Sequence, residues 1–187
     1  MQLSPATRSR RARAGFSLAE ILTVIVILGM VATVVTVNWR AILPKSQLHS
    51  AVRVISEDLN STRSEAIARN AEFRVQYDLP RRSWRVQTPF KAGGGMAQTE
   101  EERLALPWKT LPDGIKFLRI VIDGVEYTQG QCFARYDALG ASSGHVITLG
   151  QEPDNLLFTV EVLGLTGMIH YHEGTYTREA PRDTDFR

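Results

Sequence analysis

GFSLAEILTVIVILGMVATVVTV, residues 15–37, decides how the rest of the chain is read. From residue 21 to residue 37 no side chain carries a charge. At a helical rise of about 1.5 Å per residue the stretch matches a hydrocarbon core of roughly 30 Å. A buried helix of a soluble domain would keep a polar face, which a run this long and charge-free does not offer. The stretch therefore predicts a single-pass membrane helix over residues 16–39, with Trp39 as an interfacial anchor. Arg8, Arg10, Arg11 and Arg13 abut its start, while Arg40 and Lys45 follow it more sparsely. The positive-inside rule then keeps the amino terminus in the cytoplasm and puts everything after about residue 39 in the periplasm or outside.

Glu20 is the discordant residue. A carboxylate costs about 2 to 3 kcal/mol toward the membrane centre, and less toward the interface. The order of features also differs from a secretory signal, because the small residue Gly15 precedes the apolar run instead of following it. A basic leader over residues 1–15, then Gly15, Phe16, Ser17 and Glu20, resembles the class III signal of type IV pilins and type II secretion pseudopilins. That resemblance implies a prepilin peptidase that cuts between Gly15 and Phe16 and methylates the new amino terminus on Phe16. It also gives Glu20 a role in filament assembly. Phe16 and Glu20, four residues apart, lie on one helix face. A neighbouring subunit shifted along the filament axis would bring its cationic amine to this carboxylate. In a low-dielectric surrounding such a pair attracts strongly while a lone glutamate is penalised. The pattern departs from the family at Ala19, where a bulky aliphatic residue is more frequent. It departs again at Val37, where major pilins usually carry a helix-loosening proline, which leans toward a minor subunit.

The chain has 187 residues, room for one modest domain beyond the apolar segment. Its formal net charge of +2 includes the four leader arginines, and without them 18 Lys+Arg stand against 20 Asp+Glu. The mature chain would be slightly acidic, which argues against whole-surface attraction to nucleic acid. The single cysteine, Cys132, cannot form an internal disulfide and sits in an apolar run as a small buried hydrophobe.

Beyond the membrane segment, Leu48, Ala51, Val52, Ile55, Leu59, Thr62 and Ala66 recur at spacings of three and four, one stripe of an amphipathic helix over about residues 45–70. Arg53, Glu57, Asn60 and Ser64 take the opposite face. Pro44 predicts an interruption or bend between this helix and the membrane segment. The stripe needs a cover, and the rest of the chain supplies it as sheet. Phe73, Val75 and Tyr77 alternate with Arg74 and Gln76, and with residues 84–88 they make a hairpin. Residues 89–107, with Gly93, Gly94 and Gly95 and then Glu100, Glu101 and Glu102, read as a mobile surface loop. No Lys-Ser/Thr pair follows those glycines, so they are not a phosphate cradle. Strands are expected over 115–122, 125–127, 131–136, 145–149, 156–162 and 168–172, with a two-residue turn at Asp123 and Gly124 and a frayed tail from Thr177. The fold class is α+β: a long pilin-like amino-terminal helix, membrane-spanning in its first half, packed on a carboxy-terminal antiparallel β-sandwich. The head domain covers residues 40–187, its β-rich part about 73–176.

The fragments RSEAIARN (63–70), LPDGIKF (111–117), FARYDALGASSGHVITL (133–149) and VLGLTGMI (162–169) resemble, in that order, the GspH/FimT family of minor pseudopilins. Met168 stands where that family often has arginine. The resemblance implies a structural subunit of a type II secretion pseudopilus at the inner membrane. Its partners would be prepilin peptidase, other pseudopilins or pilins, and membrane lipid.

No residue pattern supports an enzyme or calls for a cofactor. His170 and His172 share one side of a strand, as two metal ligands would, but no third ligand is identifiable. Ser142 and Ser143 lack the strand-Ser-helix context of a nucleophile elbow, and nothing ties His49 to a serine or cysteine. The alternative function is a type IV pilus minor pilin that binds DNA during uptake, as some members of the resembling family do. Arg178, Arg182 and Arg187 would supply the phosphate contacts. Glu179, Asp183 and Asp185 interleave with those arginines, so nucleic acid is not the expected partner.

Overall fold

The computed structural model describes residues 17–178, with the side chains of residues 33–44 outside that description. One helix, α1, spans Leu18–Ala68. The helix runs through Pro44 without the interruption expected there. A proline removes one intrahelical hydrogen bond, and a helix can carry that loss without ending. The chain divides into two compact units, Met1–Ile42 and Leu43–Arg187.

In the first unit, the Ser17 carbonyl accepts the backbone N–H of Glu20 at 3.0 Å and of Ile21 at 3.2 Å, which starts the helix. Every described side chain from residue 17 to residue 32 is exposed, including Ile21, Leu22, Ile25 and Leu28. Among the described residues no helix is long and apolar enough to cross a membrane. The predicted span over residues 16–39 lies partly outside those residues.

In the second unit the stripe from Leu48 to Ala66 is buried at every expected position. Burying each large aliphatic side chain contributes about 1.5 to 3 kcal/mol. Among the described residues nine strands follow: β1 (Phe73–Asp78), β2 (Ser83–Gln87), β3 (Lys109–Thr110), β4 (Ile115–Ile122), β5 (Val125–Tyr127), β6 (Gln131–Tyr136), β7 (His145–Gln151), β8 (Leu156–Val162) and β9 (Ile169–Glu173). They form two antiparallel sheets, ordered β3-β2-β1-β6 and β5-β4-β7-β8-β9. The helix stripe and the inner faces of both sheets share one core. Tyr77 of the first sheet meets Phe117 of the second edge to face at 5.9 Å, and Trp84 meets Phe117 at 6.5 Å.

Several expectations need adjusting. β3 was not foreseen, β7 runs on to Gln151, and β9 lies one residue later than expected. The segment between β2 and β3 is irregular but tied to the sheet. Its Leu106 N–H donates to the Val86 carbonyl, and Thr88 N–H to that of Leu104, both near 2.9 Å. Glu100 of the acidic run pairs with Arg74, and Arg103 beside the run pairs with Glu72, so the segment is tied to distant parts of the chain. The tail is also held through Arg178: Arg119 donates to the Tyr176 carbonyl at 3.1 Å and to the Thr177 hydroxyl at 3.3 Å.

Candidate functional site

Glu20 is the one predicted assembly residue that falls among the described residues; Gly15 and Phe16 lie outside them. It occupies the first turn of α1, where a carboxylate is favoured by the helix dipole. Ser17 and Glu20 also stand at the S-x-x-E spacing of a capping box, a signal that hydropathy reading alone passes over. Around it Leu18, Ile21, Leu22 and Val24 are exposed. The result is a single acidic group at the start of an apolar helical surface.

Three of the four fragments that carry the resemblance, 63–70, 133–149 and 162–169, meet in the head. Arg63 near the end of α1 donates through Nε to the Gly140 carbonyl at 3.0 Å. Gly167, at φ +63°, sits so close that a β-carbon there would lie 2.5 Å from the Gly140 carbonyl and 2.7 Å from the Arg63 side chain. Ser142 N–H donates to the Gly164 carbonyl at 2.7 Å, and Ser143 N–H to that of Arg135 at 2.8 Å. Both serines thus act as turn residues joining the two sheets. The sequence shows the glycines, but their shared dependence on Arg63 is a tertiary fact.

Tyr77, Tyr136 and His145 cluster where the two sheets meet. The His145 Nδ1 lies 2.7 Å from the Ser143 carbonyl, which can only accept, so Nδ1 carries the proton. Nε2 is then the acceptor for the Tyr77 hydroxyl at 3.3 Å. Burial pushes the His145 pKa down to about 4, and the same burial raises those of Tyr77 and Tyr136. This is a neutral structural cluster. Cys132 is buried and its thiol is pushed up to about 12 by desolvation, which leaves it unreactive at neutral pH.

His170 and His172 share the outer face of β9, where His170 is exposed and His172 reaches Glu161 of β8. His172 Nε2 is 3.1 Å from one Glu161 oxygen and Arg178 Nε is 3.9 Å from the other. Tyr176 stacks on the His172 ring at 3.8 Å, and Thr159 donates to the Gly174 carbonyl at 2.7 Å. Residues 174–178 therefore form a strap across the outer face of the five-stranded sheet. Arg178, one of three candidate phosphate contacts, is engaged by Glu161; Arg182 and Arg187 lie outside the described residues. Among the described residues no three metal-ligating side chains gather. His49 packs edge to face on Phe158 at 5.1 Å. Met168 is exposed just before β9.

Residues 10–36 match the family described as the prokaryotic N-terminal methylation motif. Comparison with curated proteins gives no matching relative. Among solved structures, the chain is similar to the minor pseudopilin EpsH from the type 2 secretion system of Vibrio cholerae, in two determinations. One shows 18% identity and a TM-score of 0.50, covering 72% of this chain and 99% of that one. The other shows 17% identity and a TM-score of 0.46, covering 66% and 94%. At these identities the likeness is one of fold. The chain thus carries a prokaryotic N-terminal methylation motif, and its fold is similar to that of the minor pseudopilin EpsH.

Proposed function

We propose that this protein is a minor structural subunit of a type II secretion pseudopilus. Prepilin peptidase removes residues 1–15 and methylates Phe16, and the apolar helix over residues 16–39 anchors the subunit in the inner membrane. The amino terminus faces the cytoplasm and the head, residues 40–187, the periplasm. The observation that carries this reading is a lone carboxylate, Glu20, in the first turn of an exposed apolar helix, inside a methylation motif and ahead of a pseudopilin-like head. On entry into the filament, the methylated amine of a neighbouring subunit meets Glu20 and relieves the cost of holding it in lipid. The subunit's work is mechanical. Its helix joins the filament core and its head is displayed outside.

The DNA-binding alternative, a type IV pilus minor pilin, is weakened by the pairing of Arg178 with Glu161. A single experiment addresses the leading reading. Glu20→Ala and Glu20→Val chains should be cleaved normally yet enter filaments poorly; normal entry of the cleaved variants would contradict the charge-pairing account.

A further inference from the structure

The five-stranded sheet ends at β9, whose only strand partner among the described residues is β8. In an antiparallel pair, opposed residues alternate between those that exchange backbone bonds and those that turn their N–H and C=O outward. Leu163 N–H donates to the Met168 carbonyl, and Gly174 N–H to that of Leu157, both at 2.9 Å. The register puts His170 opposite Glu161 and His172 opposite Thr159. Met168, His170, His172 and Gly174 therefore face β8, while Ile169, Tyr171 and Glu173 present their backbone groups to the open side. Among the described residues no backbone group meets them there.

The other sheet edges are short or partly covered. β3 has two residues, one of them Lys109, and β5 has three. Along β6, residues 141–143 bond to the carboxy-terminal half, through Ser143 to Arg135 and Ala141 to Asp137. By contrast β9 offers five residues with no proline, lysine or bulge, and its one carboxylate, Glu173, is paired with Lys45 of α1 at 3.7 Å. Exposed Tyr171 and Met168 put apolar surface beside it.

We propose that the open edge of β9 receives an extended strand from a neighbouring, non-identical subunit of the same filament, adding a sixth strand to the sheet; this rests on the filament reading above. Outward N–H and C=O groups recurring every second residue, about 7 Å apart, are matched by an extended backbone. Residues 174–178 are directed elsewhere, because the strap leaves β9, crosses to Arg119 of β4 and brings Arg178 beside Gly144. A second copy joined antiparallel through β9 would be turned by a two-fold axis perpendicular to the sheet. The part of α1 packed on the sheet would then run in opposite directions in the two copies, which subunits anchored in one membrane with one orientation do not permit.

The test uses the full chain in cells carrying the filament system, with a photo-cross-linking residue in place of Met168. Tyr171→Pro removes the central outward N–H and leaves every bond to β8, whereas Tyr171→Ala removes the ring and keeps that N–H. The expected result is a cross-link to a different pilin-like subunit, reduced about tenfold by Tyr171→Pro and no more than about twofold by Tyr171→Ala. Equal yields in all three chains would overturn the proposal, as would equal loss in the two variants, a homodimer or an internal cross-link. Amino-terminal cleavage is read in the same samples. An uncleaved chain means the filament reading itself has failed, whereas a cleaved chain that cross-links to no other subunit sinks the β9 inference alone.

Discussion

The carboxylate of Asp58 on α1 accepts the indole N–H of Trp84 on β2 at 2.8 Å, while Lys109 of β3 holds its other oxygen at 2.6 Å. One helical side chain thereby fixes the helix to two strands. Trp84 is 2% exposed, so its N–H has no easy access to water if Asp58 is lost. Asp58→Ala should cost about 2 to 3 kcal/mol, because a buried donor is left unmade. Asp58→Asn, which keeps an acceptor, should cost less. Thermal unfolding of the full chain in detergent checks this, with a fall of about 5 °C or more expected for the alanine variant.

Acid should weaken the head through His145. Its folded pKa is about 4, whereas the unfolded imidazole takes a proton near 6.5. Between those values the unfolded state binds more protons, so stability is full above about pH 6.5 and falls as pH drops toward 4, by at most about 1.4 kcal/mol per unit. His145→Leu should lower stability at neutral pH, through lost bonds to Ser143 and Tyr77, and flatten this part of the profile. Urea midpoints between pH 7 and pH 4 would show both effects.

Two glycines should respond differently to alanine. At Gly167 the new methyl would meet the fixed Gly140 carbonyl and Arg63, in a left-handed backbone conformation. At Gly150 it would meet only the end of the Leu118 side chain, which can move. Gly167→Ala should therefore cost about 2 kcal/mol or more, and Gly150→Ala clearly less. Denaturant midpoints of the two variants compare them directly.

The strap over residues 174–178 depends on Glu161, whose side chain is 4% exposed between His172 and Arg178. Glu161→Gln keeps the shape and removes the charge. Cleavage by trypsin after Arg178 should then quicken about fivefold, reflecting more frequent local opening. An unchanged rate would mean that Tyr176 stacking and Arg119 hold the strap alone.

What could be read in advance follows from what is local. The stripe from Leu48 to Ala66 was legible because burial on a helix recurs at three and four residues, and β4, β5, β6 and β8 because apolar runs end at turns such as Asp123-Gly124. Glu20 stands out in the sequence by its conflict with the apolar run around it. β3 was not, since two residues carry no periodicity. The order of the segment around Glu100 was hidden because it comes from Arg74 and Arg103, paired across the fold. The same holds for His172, whose position on β9 is readable while its partner Glu161 belongs to another strand.

The central claim is amino-terminal processing into a filament subunit, and intact mass with amino-terminal sequencing of the membrane-extracted protein tests it most directly. In cells with prepilin peptidase the account predicts a chain beginning at methylated Phe16, and in cells without it the full leader. A chain left whole in the presence of the peptidase, or cut after Val37, would contradict it.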